Sequence, residues 1–118
     1  MKPAFLIEER TIEANGEGAP MPAKSAHLLQ LTLGIIRSSE QSSLDVVIHS
    51  SLDGKEWSAK PIAEFPQKFY KGVSAVLLDL SANPDAAYLQ ARWKISRWGR
   101  GPLQAKFTLY LFVDELRT

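Results

Sequence analysis

The sequence predicts an all-β protein: a single-domain antiparallel β-sandwich, jelly-roll-like, with about seven or eight strands over residues 1–118. Three observations predict it. Apolar residues recur with a period of two rather than 3.6 along most of the chain. No stretch of ten or more residues carries a helical stripe, and the breaks between the alternating runs hold Gly, Pro, Asn and Ser, which are turn residues.

The elements follow in order. FLIEERTIE near the start is a candidate strand, and NGEGAPMPAK after it is rich in Gly and Pro, so residues 14–25 read as one long loop. HLLQLTLGII sets Leu29, Leu31, Leu33 and Ile35 on one face and Leu28, Gln30, Thr32, Gly34 and Ile36 on the other. Past the polar RSSEQSS, LDVVIHS places Leu44, Val46 and Ile48 on one side and Asp45, Val47 and His49 on the other. EWSAKPIAEF is a further strand, and Pro61, which lacks a donor N–H, sets it at a sheet edge. An additional strand is possible around Phe69-Tyr70. GVSAVLLDL is apolar on both faces, the pattern of a central strand. After SANPD, AYLQARWKISRW sets Leu89, Ala91, Trp93 and Ile95 against Gln90, Arg92, Lys94 and Ser96. GRGP turns into AKFTLYLFV, where Phe107, Leu109, Leu111 and Val113 alternate with Thr108, Tyr110 and Phe112.

The stretch SSLDGKEW joins two of these runs. A two-residue Asp53-Gly54 turn of type I′, or a four-residue loop in the same register, pairs Ser50 with Trp57, Ile48 with Ala59 and Val46 with Pro61. Core then meets core, with Trp57 on the apolar side. A slip of one residue would turn every side chain to the other face. Ser51, Asp53, Gly54 and Trp57 are therefore expected to be structural.

Composition narrows the function classes. The net charge is +1, from 14 basic and 13 acidic side chains, so no overall field draws the chain to nucleic acid or to an anionic membrane. Absence of cysteine removes disulfides, thiolate metal sites and a cysteine nucleophile together. The apolar run Ala4–Ile7 is too short for a leader's apolar core, so a cytoplasmic protein is expected.

Catalytic chemistry finds little support. A Ser-His-carboxylate triad is the first constellation to weigh, with His49, Ser50, Ser51, Asp45 and Asp53 close in sequence. Neighbours on a strand diverge, however, and His49 reads as a surface residue. His27 and His49 do not stand at metal-ligand spacing, so neither metal nor cofactor is expected. The unusual segment is RWKISRWGRG, with four cations and two tryptophans. Trp93 and Ile95 point inward, which leaves Arg92, Trp98 and Arg100, joined by Tyr88, as a candidate platform for a sugar ring. Packing between strands, or a subunit contact rich in Trp and Arg, is the plainer reading of the same residues.

Ser51-x-Asp53-Gly54-x-x-Trp57 is similar to the S-x-D-G-x-x-W hairpin of discoidin-like (coagulation factor type C) β-sandwich domains, and ARWKI resembles their late strand. Small phage tail and virion β-sandwich proteins show a similar hairpin. The first resemblance implies binding of sugars or lipid head groups, the second a part in assembly. The chain departs from the discoidin pattern in lacking the cysteine pair common there.

The expectation is a non-enzymatic binding or assembly module, homo-oligomeric, because AKFTLYLFV is apolar on both faces and one of them needs a partner. Its partners are then copies of itself or other proteins, without nucleic acid or membrane. A carbohydrate-binding module using Trp98, Arg92 and Tyr88 is the alternative, and a small hydrolase comes third.

Overall fold

A computed structural model describes residues 3–98 and 105–116. Its strands are β1 (Ala4–Ile12), β2 (Gly16–Glu17), β3 (Met21–Pro22), β4 (Leu28–Ser38), β5 (Ser42–Ser51), β6 (Ala63–Glu64), β7 (Gly72–Asp79), β8 (Tyr88–Arg97) and β9 (Phe107–Leu116). A short 3₁₀ turn, Leu80–Ala82, follows β7, and the Asp79 carboxylate caps it by accepting the Ser81 N–H at 2.9 Å.

The strands form two antiparallel sheets. One runs β1-β9-β4-β7; the other runs β2-β8-β5-β6, with β3 also paired to β8. The pairing is nested: β1 with β9, β2 and β3 with β8, β4 with β7, β5 with β6. Such nesting is a long hairpin rolled onto itself, the jelly roll, and the β5–β6 connection is the tip of the roll. The expected sandwich is thus the observed one.

Alternation builds the core between the sheets. Leu29, Leu31 and Leu33 of β4, Leu44, Val46 and Ile48 of β5, and Phe107, Leu109, Leu111 and Val113 of β9 have almost no exposed surface. Trp93 on β8 is also buried; its indole N–H donates to the Ala14 carbonyl at 3.1 Å, and the Arg10 guanidinium sits 5.2 Å from its ring. Register shifts of β1 against β9 bring the adjacent Leu6 and Ile7 both inside.

Four expectations need correction. Residues 14–25 hold the short strands β2 and β3, because β8 offers its free side to them and Glu17 reaches Arg92. The segment after the hairpin is a strand only at Ala63–Glu64, at the sheet edge as Pro61 implied, with an isolated bridge from Trp57 to Ser51 before it. Around Phe69-Tyr70 there is no strand, only a bridge from Lys68 to Leu44. Most consequentially, β7 is an edge strand and not a central one; β4 takes the inner position, because β9 folds back against it from the far end of the chain.

Candidate functional site

At the tip of the roll, side chains replace the turn that Asp53-Gly54 would make alone. The Ser51 hydroxyl accepts the N–H groups of Gly54 at 2.8 Å and Asp53 at 3.3 Å, and donates to Asp53 Oδ1 at 3.0 Å. That carboxylate oxygen also accepts from Lys55 N–H at 2.8 Å and Glu56 N–H at 3.0 Å. The Glu56 and Lys55 N–H groups, with the Ser51 hydroxyl, hold the Asp53 carboxyl below the ordinary aspartate range. Gly54 has the positive φ of 80° expected of it, while Asp53 does not share it.

This capture lengthens the loop and shifts the register. Ser51, not Ser50, stands opposite Trp57, and Ile48 stands opposite Ala63 rather than Ala59. The core place expected for Trp57 goes to Phe65, whose N–H donates to the Val46 carbonyl; Trp57 is only half-buried.

His49, expected on the surface, is 8% exposed. The chain at Ser58 folds over it, and its Nδ1 donates to the Ser58 carbonyl at 2.8 Å. Ser58 Oγ lies 3.4 Å from the same nitrogen, a serine–histidine approach that invites a hydrolase reading. The hydroxyl donates to the Lys60 carbonyl instead, so the imidazole does not receive its proton.

The proposed ring platform divides between the two ends of β8. Tyr88 begins the strand, opposite Ser51 and Pro22 and against Gly54, whereas Trp98 follows its last residue. At about 3.3 Å per residue the strand keeps them on the order of 30 Å apart. Arg92, midway, is 3.7 Å from Glu17 and donates to Gln90 Oε1 at 3.3 Å, so it braces β2 against β8. Arg100 lies outside the described residues.

Trp98 instead joins rings that the sequence had not linked to it. Its backbone N–H donates to the Gln41 carbonyl at 3.0 Å, its indole is 58% exposed, and Phe69 meets it edge-on at 5.7 Å. Tyr70, 81% exposed, is 6.3 Å from Phe69. These rings and Ser38–Ser42 border a recess of about 400 Å³. The adjacent aromatic pair at 69 and 70 was the available signal; its proximity to Trp98 depends on the fold.

A second exposed apolar surface lies elsewhere, on the outer side of the four-stranded sheet. Phe5, Phe112, Thr32 and Ala75 form one row across its four strands, and Tyr110, Gly34 and Val73 form the next across three. Phe5 packs edge-on against Phe112 at 5.1 Å and Tyr110 at 6.1 Å. The Tyr110 ring packs against Gly34, where any Cβ would overlap it. At the β7 edge, Val73 is 70% and Leu77 61% exposed. Among the described residues there is no group of three or more potential metal ligands, and no helix is long and apolar enough to cross a membrane.

No protein-family model matches the sequence, and no curated protein matches it either. Solved structures do resemble the fold. A chain of infectious bursal disease virus, Gt strain, aligns over 95% of this chain and 30% of its own length, at 8% identity and a TM-score of 0.62. The VP2 subviral particle of infectious bursal disease virus gives 0.58 at 10% identity, over 95% of this chain and 31% of that one. The SPBc2 prophage-derived protein YomS gives 0.50 at 10% identity, over 96% of this chain and 95% of that one. This chain thus spans about a third of the length of the viral chains and nearly all of the prophage protein. At such identities the likeness is one of fold alone.

Proposed function

We propose that this chain is an assembly module, a non-enzymatic jelly roll that associates with copies of itself through its four-stranded sheet. The observation that carries the reading is the exposure of Val73 and Leu77 on a sheet whose outer side also displays Phe5, Tyr110 and Phe112. Apolar side chains at those exposures gain by leaving water, about 25 cal/mol per Å² buried. A related fold occurring in a subviral particle supports the reading without naming the contact. Sedimentation velocity over a range of concentrations tests it. The full chain sediments as an oligomer and Leu77→Lys moves it towards monomer without a change in its circular dichroism; a chain that stays monomeric at every concentration would contradict the reading.

A second reading has an observation of its own. Trp98, Phe69 and Tyr70 expose rings around a recess edged by serines and Gln41, which suits a sugar with an apolar ring face. In that case soluble oligosaccharides quench tryptophan fluorescence in the wild type and not in Trp98→Ala. Equal quenching in both would remove it.

A further inference from the structure

We infer that the assembly contact is strand to strand: β7 pairs antiparallel with β7 of a second copy about a two-fold axis through Ala75, making one continuous eight-stranded sheet. The inference rests on the assembly reading above and adds to it a partner strand and a register.

The first ground is that β7 is an open edge. Among the described residues it pairs only with β4, in a straight ladder from Leu28↔Asp79 to Ile35↔Gly72 with no bulge. Edge strands ordinarily carry a device against pairing, such as a proline, an interior lysine, a bulge or brevity. Between Gly72 and Asp79 there is none: the strand has eight residues, GVSAVLLD, without lysine or proline. By comparison β6, which ends the other sheet, has two residues and follows Pro61 closely.

The second ground is that the strand complements itself in one register. A two-fold axis perpendicular to the sheet puts the outer sides of both copies together, so only pairings between residues of the same parity are allowed. Centred on Ala75, the outer side pairs Val73 with Leu77 and Ala75 with Ala75, and it brings Asp79 beside Lys71, the residue just before the strand; each unlike pair occurs twice. The inner side pairs Ser74 with Val76 and Gly72 with Leu78. The two most exposed aliphatic side chains of the sheet cover one another, and opposite charges close both ends. Moving the axis by one residue either way puts Leu77 against Lys71 or Val73 against Asp79 and loses both complementarities. Cross-strand partners at this spacing contribute most when apolar meets apolar and charge meets opposite charge.

The absence of cysteine from the chain provides a clean test. Directly opposed Cα atoms in an antiparallel pair are about 4.5–5.5 Å apart, within disulfide reach. Ala75 is exposed, so a cysteine there is accommodated. Under mild oxidation Ala75→Cys forms a covalent dimer while Val73→Cys, displaced from its own copy by four residues along the seam, does not. Lys71→Glu, set opposite Asp79, weakens association roughly five- to tenfold, and added salt restores part of it. Phe5→Lys, on the far strand, leaves association unchanged. If the wild type associates but Ala75→Cys does not cross-link, or Phe5→Lys abolishes association, the edge pairing is overturned while assembly through the sheet stands. A wild type that is monomeric throughout overturns both.

Discussion

Strands β4 and β7 lie side by side in one sheet and are both rich in aliphatic residues, yet they spend those residues differently. Between Leu29 and Ile35 of β4 the inward positions are buried aliphatic residues, and the outward ones are Gln30, Thr32 and Gly34; Leu28 and the exposed Ile36 stand only at the two ends of that stretch. On β7 the outward positions are Val73, Ala75 and Leu77, all exposed, while Ser74 is among those that face inward. The central strand therefore has the quieter outer face, and the edge strand, which touches fewer neighbours, has the more apolar one. Burial within one copy accounts for the pattern on β4. It does not account for β7, whose apolar residues make sense at a contact between copies.

This difference makes graded predictions for folding stability. The largest effect is expected inside β4: Leu31→Ala removes a fully buried side chain and costs about 2–5 kcal/mol by chemical denaturation. Next comes the outer side of the same strand. Gly34→Val forces the Tyr110 ring off its seat, at about 1–3 kcal/mol, and the additional change Tyr110→Ala recovers much of the loss because the two positions are coupled. A contribution outside the sheet comes from Asp53, whose carboxyl is held below its ordinary value by Glu56 and Lys55 N–H groups. Its stabilisation is present above the ordinary aspartate value and is lost as pH falls through the lowered one; Asp53→Asn flattens that part of the acid limb. The smallest effect belongs to β7: Leu77→Ser changes the stability of the monomer by no more than about 0.5 kcal/mol, although it weakens association. A cost at Leu77 as large as that at Leu31 would erase the distinction between the strands.

Much of the fold was legible because alternation reports burial directly. The inward sets on β4, β5, β8 and β9 are those that the period of two selects, and breaks fall within Arg37–Ser43 and Ser81–Asp85 as expected, although the first is only residues 39–41 because β4 runs to Ser38 and β5 starts at Ser42. Strand order was not legible. Two-sided apolarity on GVSAVLLDL fits a central strand buried on both faces and equally an edge strand awaiting a partner; periodicity does not separate the two. The hairpin register failed for a different reason: the Ser51 hydroxyl and Asp53 carboxylate compete for backbone N–H groups, and that competition lengthened a loop that the Asp-Gly signal shortens. Of the expected platform, Trp98 is exposed at a rim, but Tyr88 belongs to the opposite end and Arg92 to a brace. The rings beside Trp98 come from a segment some thirty residues earlier, a proximity that only the rolled topology creates.

Backbone hydrogen exchange of β4 and β7, measured at low and high protein concentration, tests the central claim most directly. The account predicts that amides of Gly72–Asp79 exchange more slowly as concentration rises, while those of Leu28–Ile35, already paired on both sides, do not change. Exchange of β7 that is the same at both concentrations, in a range where the chain should associate, would contradict it.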